Sequence, residues 1–318
     1  FNGRSYDFPM ITAAITGHSN EQLKFFSDRI VKGRLQYWDI ERELSIKVPT
    51  GWDHMDLKEP APGVMISLKL YEARMHSRRL QSLPVASDTW LTPAQVEVLR
   101  DYNIHSDLPA TIDLMHALKT EIDLRRVLGA KYKLDLRSRS DAQIAEAVIK
   151  KEVSKLKSGQ KIEKAHFDQS WSHQYVAPDF IRFRSAELRQ VVDQIQSLRF
   201  WLHPTSGQPQ MPTELTKMIV KVGDGKYKMG MGGLHSMEKR QVLVSSPLVQ
   251  YEDDDVASFY PKLILACKLY PPNMGEDFAK VYGAILQDRL DYKALKKKIE
   301  ANSMKILLNG TFGKLGSP

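Results

Sequence analysis

The sequence predicts a multidomain chain of mixed α/β and α+β class, with an α/β first lobe, a β-rich centre and a helical end. Three observations carry that prediction. With 318 residues and 42% hydrophobic content, the chain is longer than the roughly 100–200 residues of a typical domain and has apolar material for real cores. Apolar residues recur at helical spacing through much of the first 156 residues and the last 43. Between these regions, two β-prone runs flank Gly223-Asp224-Gly225, the pattern of a hairpin.

The elements follow in order. Asn20-Glu21-Gln22 opens a helix over Leu23–Leu35, whose apolar positions are Phe25, Phe26, Ile30 and Val31. Pro49, Gly51, Pro60, Pro62 and Gly63 mark a long loop. Thr92-Pro93 begins another helix, because proline at the first helical position gives up an N–H that has no helical partner there. From Asp107 to Leu128, Leu108, Ile112, Met115, Leu118, Ile122 and Leu124 keep helical spacing, and Gly129 supplies the stop. Ser140-Asp141 caps a helix to about Leu156, which closes a first domain over residues 1–156. Lys157–Pro178 loses periodicity and carries Trp171 and Tyr175, and residues 157–210 read as a connection with a helix from Ser185 to about Phe200. Residues 211–275 hold the hairpin, Met218–Val222 and Lys226–Met229, with further strands expected at Gln241–Val244 and Asp255–Phe259. Residues 276–318 are mainly helical.

A single cysteine, Cys267, excludes a disulfide framework or a cysteine-built zinc site and suits a reducing compartment. No apolar run approaches the roughly 18–20 residues that span a bilayer, and Phe1-Asn2-Gly3-Arg4 lacks the layout of a signal peptide. A soluble, cytoplasmic protein with no membrane partner is expected. The start on Phe1 and the end on Gly316-Ser317-Pro318 predict a piece of something longer.

Forty-six basic against 38 acidic residues leave a net charge of +8, which fits a polyanionic partner. Half of that excess lies between Arg289 and Lys305. On a helix, Lys305, Asn309 and Phe312 fall on one face, as do Arg289, Lys293, Lys296 and Lys297. Along one continuous helix Lys293 and Lys305 would stand about 18 Å apart. A turn at Glu300-Ala301-Asn302-Ser303 would instead bring the basic faces together as a clamp for a triphosphate, with Lys as a point charge and Arg as a bidentate donor. The bland alternative is a solvated helix face. Upstream, Asp255 stands beside an apolar run that would hold it at a sheet edge, suited to a Mg2+ ligand, whereas Asp253 and Asp254 read as turn residues.

Asp255-Val-Ala-Ser258-Phe259-Tyr260-Pro261 and Lys305-Ile-Leu-Leu-Asn309-Gly310-Thr-Phe312-Gly313 together resemble the first palm motif and the fingers motif of family B DNA polymerases, particularly those of phages. The resemblance implies that Asp255 is one of two metal-binding aspartates, with Val256 beside it in the metal site and Ser258 at the nucleotide. Tyr260 is implied as the ring beneath the sugar that excludes ribonucleotides. Lys305 would bind the incoming triphosphate, with Arg289 and Lys293 matching Arg-x-x-x-Lys on the preceding fingers helix, and Asn309 and Phe312 lining the nascent base pair. Gly310 stands where the family has Ser, and Phe312 where it has Tyr, so any contact through that hydroxyl is lost. Gly230-Met231-Gly232-Gly233 occupies the place of a Tyr-x-Gly-Gly loop that binds the primer strand, without its Tyr; a plain Gly-rich turn is the alternative.

Asn2-Gly3-Arg4-Ser5-Tyr6-Asp7 is similar to the second motif of the family's 3′→5′ exonuclease, with Asn2 and Tyr6 as DNA contacts and Asp7 as a metal ligand. Its third motif, Tyr-x-x-x-Asp, matches Tyr102 and Asp107 with one residue too many between them. Ser67-Leu68 resembles the single-strand-binding Ser/Thr-Leu element, or is an ordinary helix start. The resemblance thus implies an RNase H-like exonuclease lobe (1–156), a connection (157–210), the start of an antiparallel palm (211–275) and a helical fingers hairpin (276–318). Implied partners are primer-template DNA, a single-stranded DNA 3′ end, dNTPs and replisome proteins. Two Mg2+ per active site are implied, with Mn2+ as a substitute. The remaining motifs, Asp-x-Glu and Tyr-x-Asp-Thr-Asp, would lie before Phe1 and after Pro318. A short spacing between the palm and fingers motifs looks like that of a nucleic-acid-primed enzyme. A non-catalytic nucleic-acid-binding module, or a stand-alone 3′→5′ exonuclease, are the competing readings. Gly313-Lys314 with Ser317 fails the P-loop pattern, and His105 near Asp107 is too thin for a metal pair.

Overall fold

A computed structural model of the chain describes residues 3–33, 35, 37–49, 51–61, 66–77, 80–163, 170–205 and 207–315. The chain divides into two compact units, Phe1–Ile144 with Arg289–Ile306, and Ala145–Asp288 with Leu307–Pro318.

In the first unit, α1 (Phe8–Ile15), α2 (Asn20–Gly33) and α3 (Tyr37–Leu44) close around Ala13, Ile30, Ile40, Leu44 and Ile46, with Tyr6, Met10 and Phe26 packed against them. A second core joins Tyr71 of α4 (Leu68–Arg74) to Leu114 of α6 (Leu108–Ala117), together with Leu57, Leu118 and Ile122. Between these, α5 (Pro93–Tyr102) starts in a full capping box, Thr92 and Gln95 satisfying each other's backbone N–H. The single helix expected over 107–128 is two: Leu118, at φ −88° and ψ 12°, breaks it before α7 (Lys119–Tyr132). Leu118 is buried in the core at the bend, which lets both helices turn a face to the same apolar cluster.

Gly129 does not stop α7, which runs three residues further to Tyr132 and is capped by Lys133 in the left-handed region at φ 52°. The glycine acts from inside the helix. Leu134 N–H returns to donate to the Gly129 carbonyl (3.1 Å), and a Cβ at 129 would stand 2.8 Å from the Leu134 carbonyl oxygen. Nearby, the buried Arg125 donates to Asp141 Oδ1 (2.7 Å) and to the carbonyls of Glu121 and Arg139. Burial lowers its pKa against the opposing pull of Asp141. Tyr132 Oη lies 3.9 Å from Met304 Sδ, joining α7 to the Arg289–Ile306 segment.

Among the described residues from 3 to 156 there is no strand, which corrects the α/β expectation for the first lobe. The apolar positions that form its two cores keep helical spacing, so each segment buries its face as a helix. The chain as a whole is mixed helix and small antiparallel sheet, compatible with the α+β class.

The second unit takes up α8 (Asp141–Leu156) from Ala145 onward. Residues 157–210 are more than a connection, for β1 (Ser172–Gln174) pairs antiparallel with β2 (Arg199–Trp201), with α9 (Ala186–Ser197) between them. After α10 (Thr213–Lys217), β3 (Ile219–Val222), β4 (Gly225–Gly230) and β5 (Gly233–Ser236) form an antiparallel meander. Val222 pairs with Gly225, so Gly223-Asp224 is the two-residue turn, with Gly223 at φ 58°. The strands expected at 241–244 and 255–259 do not form. Val242, Leu243 and Val244 are exposed, and without a neighbouring edge or a buried face a short run gains too little to hold a strand.

Three helices complete the chain: α11 (Phe259–Ala266), α12 (Glu276–Ala294) and α13 (Lys298–Leu315). Leu265 of α11 packs on Gly283 of α12. Buried Tyr282 donates its hydroxyl to the Leu308 carbonyl (3.0 Å), which binds α12 to α13. No helix among the described residues is long and apolar enough to cross a membrane.

Candidate functional site

The strand expected over Asp255–Phe259 does not form, and its last residue, Phe259, instead opens α11, Phe259-Tyr-Pro-Lys-Leu-Ile-Leu-Ala. Pro261 falls in the first turn, where a missing N–H costs nothing, and Pro261 and Ile264 form the buried side. Ser258 makes the entry turn in the left-handed region at φ 56° and ψ 46°, a conformation that costs a non-glycine residue on the order of 1–2 kcal/mol. Asp255 and Val256 therefore lie in an exposed, irregular stretch and not at a sheet edge.

That turn brings Tyr260 to the segment of the second motif, Lys305–Gly313. Its ring stacks on Phe312, centroids 4.2 Å apart and planes at 23°, and Phe259 packs beside it at 5.4 Å. Both stacked residues are 41% exposed, so the pair forms a surface platform. On α13, Lys305, Asn309 and Phe312 occupy the exposed face, while Ala301, Met304, Leu308 and Thr311 are buried.

The turn between α12 and α13 comes earlier than expected, at Leu295-Lys296-Lys297, with Lys296 at φ 56°. Ala301 and Ser303, expected in the turn, are buried helix positions, and Ser303 Oγ donates to the Ile299 carbonyl. A lysine run stays solvated, so it makes the loop. Counted from Lys296 at 1.5 Å per residue, Arg289 and Lys305 differ by about 3 Å along the hairpin, and Lys293 and Lys305 by about 9 Å, half of the separation on one helix. Arg289 is half-buried; Lys293 is exposed.

Asp7 and Asp107 share a local design. Each ends a five-residue π-helical segment, Gly3–Asp7 and Asn103–Asp107, and each is followed by an apolar residue and a proline that opens an α-helix. In a π turn the repeat is i to i+5, so Tyr102 and Asp107 come onto one side despite the extra residue. A single ammonium touches both. Lys69 Nζ is 2.8 Å from Asp107 Oδ1 and 4.8 Å from the Tyr102 ring centroid. It also reaches Ser106 Oγ at 3.0 Å and Glu72 Oε2 at 3.1 Å. Desolvation lowers the Lys69 pKa, but hydrogen bonds with Asp107, Tyr102 and Glu72 outweigh it and hold the ammonium above the ordinary lysine value.

Tyr102 is itself buried beneath that lysine. Tyr6 Oη is bonded to Ser27 Oγ of α2 at 2.7 Å, and Asp7 is exposed. Asn2 lies outside the described residues. Ser67 is the N-cap of α4, accepting from Leu70 N–H, and Leu68 packs on the second core, the ordinary helix-start arrangement. Gly230–Gly233 is the turn of the β4–β5 hairpin. A Cβ at Gly230 would come within 2.7 Å of His235 Nε2, so the tyrosine of the resembled motif has no room unless His235 moves.

Among the described residues no three His, Cys, Asp or Glu side chains gather to hold a metal ion, and Asp255 has no assembled ligand set around it. At Asp107 the donor chemistry fits better. The ammonium takes Asp107 Oδ1 and leaves Oδ2 outside that bond, and a carboxylate oxygen is the hard donor that Mg2+ takes. Comparison with known families, curated proteins and solved structures yields no match. Lys69, Glu72 and Ser106 were not singled out in the sequence, although Lys69 and Glu72 at i and i+3 on a short helix were a readable ion pair.

Proposed function

We propose that this chain is a region of a template-directed DNA polymerase of the family B, phage-like kind, with a 3′→5′ proofreading lobe. The observation that supports the reading most is the Tyr260–Phe312 stack. Two segments matched separately in the sequence, 52 residues apart, meet through the two aromatic residues that the resemblance assigns to the incoming nucleotide.

In this reading the primer 3′-OH attacks the α-phosphorus of a dNTP, and the bond to the leaving pyrophosphate breaks in line. In the first unit Lys305, Arg289 and Lys293 carry the charge that suits a triphosphate, and in the second the exposed Tyr260–Phe312 platform suits a sugar and base. Mg2+ supplies charge stabilisation at the attacking and leaving oxygens when bound. Asp7 and Asp107 serve the hydrolysis of a mispaired 3′ end. Contacts from Lys and Arg to the DNA backbone make binding fall steeply with salt.

The test is a separation of activities in the full-length gene product. Asp255→Ala is expected to abolish primer extension and spare 3′→5′ digestion, and Asp7→Ala to do the reverse. Lys305→Ala is expected to raise the nucleotide KM or lower kcat without weakening DNA binding. Loss of both activities from either aspartate variant marks a folding defect and overturns the assignment. DNA binding with no synthesis in the wild-type product favours the binding-module reading.

A further inference from the structure

We infer that Lys69 is a positioning residue of the proofreading lobe, fixing the direction in which Asp107 presents its carboxylate; this rests on the reading of Asp107 as a catalytic carboxylate. The cluster is asymmetric. Glu72 is fully buried, while the side chains of Asp107 and Lys69 are 36% and 31% exposed. Glu72 therefore anchors the ammonium from inside, and the ammonium reaches outward to Asp107.

An ammonium has three protons, and here three acceptors surround it: Glu72, Ser106 Oγ and Asp107 Oδ1. The ammonium also lies over the Tyr102 ring, and α4 is pinned by the Ser67 cap and by Leu68 and Tyr71 in the core. A lysine held by three acceptors is a fixed donor, and it imposes one orientation on the carboxylate that ends the π segment. The bond uses Oδ1 and leaves Oδ2 outside it. Two carboxylates face one ammonium, so the cluster keeps a net negative charge that favours a further cation at Asp107. A purely structural staple between α4 and α6 would make the same contacts, so the experiment has to separate aiming from stapling.

Lys69→Met alone would strand Glu72, so the test uses Lys69→Met with Glu72→Gln, which removes one positive and one negative charge together. In the full-length gene product the double variant is expected to lose about 10–100-fold in exonuclease rate, the usual cost of removing a group that orients a ligating carboxylate. Primer extension should be unchanged. Mn2+ binding to the chain, read by electron paramagnetic resonance, should move to a half-saturating concentration about tenfold higher. Lys69→Arg, which keeps a cationic donor, should stay within several-fold of wild type on both readouts.

The inference is overturned if the double variant digests DNA and binds Mn2+ as the wild type does while Asp107→Asn is inactive, or if Lys69→Arg is no better than the double variant. If Asp107→Asn itself digests normally, the proofreading reading of Asp107 falls, and the role of Lys69 falls with it. Circular dichroism checks folding; should the first pair unfold, Lys69→Gln with Glu72→Leu takes its place in the same comparison.

Discussion

Truncating the two stacked rings, singly and together, tests whether the Tyr260 and Phe312 segments meet in solution. Each residue is 41% exposed, so each ring is a little over half buried. Full truncation of a buried aromatic costs about 3–5 kcal/mol, which scales to roughly 2 kcal/mol for Tyr260→Ala and for Phe312→Ala. An offset stack contributes about 0.5–1.5 kcal/mol beyond area, and at 4.2 Å and 23° this pair has stacking geometry. The double variant should therefore cost about 3 kcal/mol and not 4, a coupling of about 1 kcal/mol. Urea unfolding followed by far-ultraviolet circular dichroism resolves a difference of that size. Phe312→Tyr should be nearly neutral for stability, because the residue is well exposed. Additivity of the two truncations within about 0.3 kcal/mol would refute the contact and remove the observation on which the functional reading rests.

Four further outcomes follow from the same geometry. Lys69→Met leaves Glu72 buried without its ammonium and should cost about 3 kcal/mol, the lower end for breaking a buried pair. A urea midpoint equal to that of the wild type would contradict this. Gly129→Ala should destabilise despite a helix-propensity gain of about 1 kcal/mol, because the new Cβ meets the Leu134 backbone carbonyl; a raised melting temperature would contradict this. Burial holds the Tyr282 phenol above the ordinary tyrosine value, so its stabilising contribution is present below that value and is lost as pH rises beyond it; Tyr282→Phe should flatten the alkaline limb of a stability–pH curve. Deleting the exposed Ile104 turns the Tyr102–Asp107 spacing from i, i+5 into i, i+4, so the π turn can relax to α with Lys69 still touching both. A similar deletion within α7 would rotate everything beyond it by about 100° and should unfold the lobe, as judged by thermal melts.

What was legible in the sequence was local. The Thr92-Pro93 start, the Gly223-Asp224 turn and the exposed face of Lys305, Asn309 and Phe312 depend on residues within one or two turns, and the structure places them as their chemistry dictates. What failed depended on partners distant in the chain. The run at Asp255–Phe259 has strand composition, but no neighbouring edge accepts it, and Pro261 with Ile264 has a buried helical side to occupy. The turn expected at Glu300–Ser303 was displaced for the same reason, since Ala301 and Ser303 are buried while the lysines ahead of them stay solvated.

The Tyr102–Asp107 spacing joins the two cases. As a string it is one residue out of register, and at the level of pattern that is a defect. As backbone it is a π turn, an arrangement that absorbs one residue without turning the flanking side chains apart. The same turn at Gly3–Asp7, again followed by an apolar residue and proline, makes chance a poor account of it. A π turn gives up regular i to i+4 hydrogen bonds, so two of them, each ending on an aspartate, cost local stability; in the proposed reading that cost aims the carboxylates. Lys69 gives that aim a physical form at Asp107: the extra residue delivers the carboxylate to an ammonium that a buried glutamate holds still.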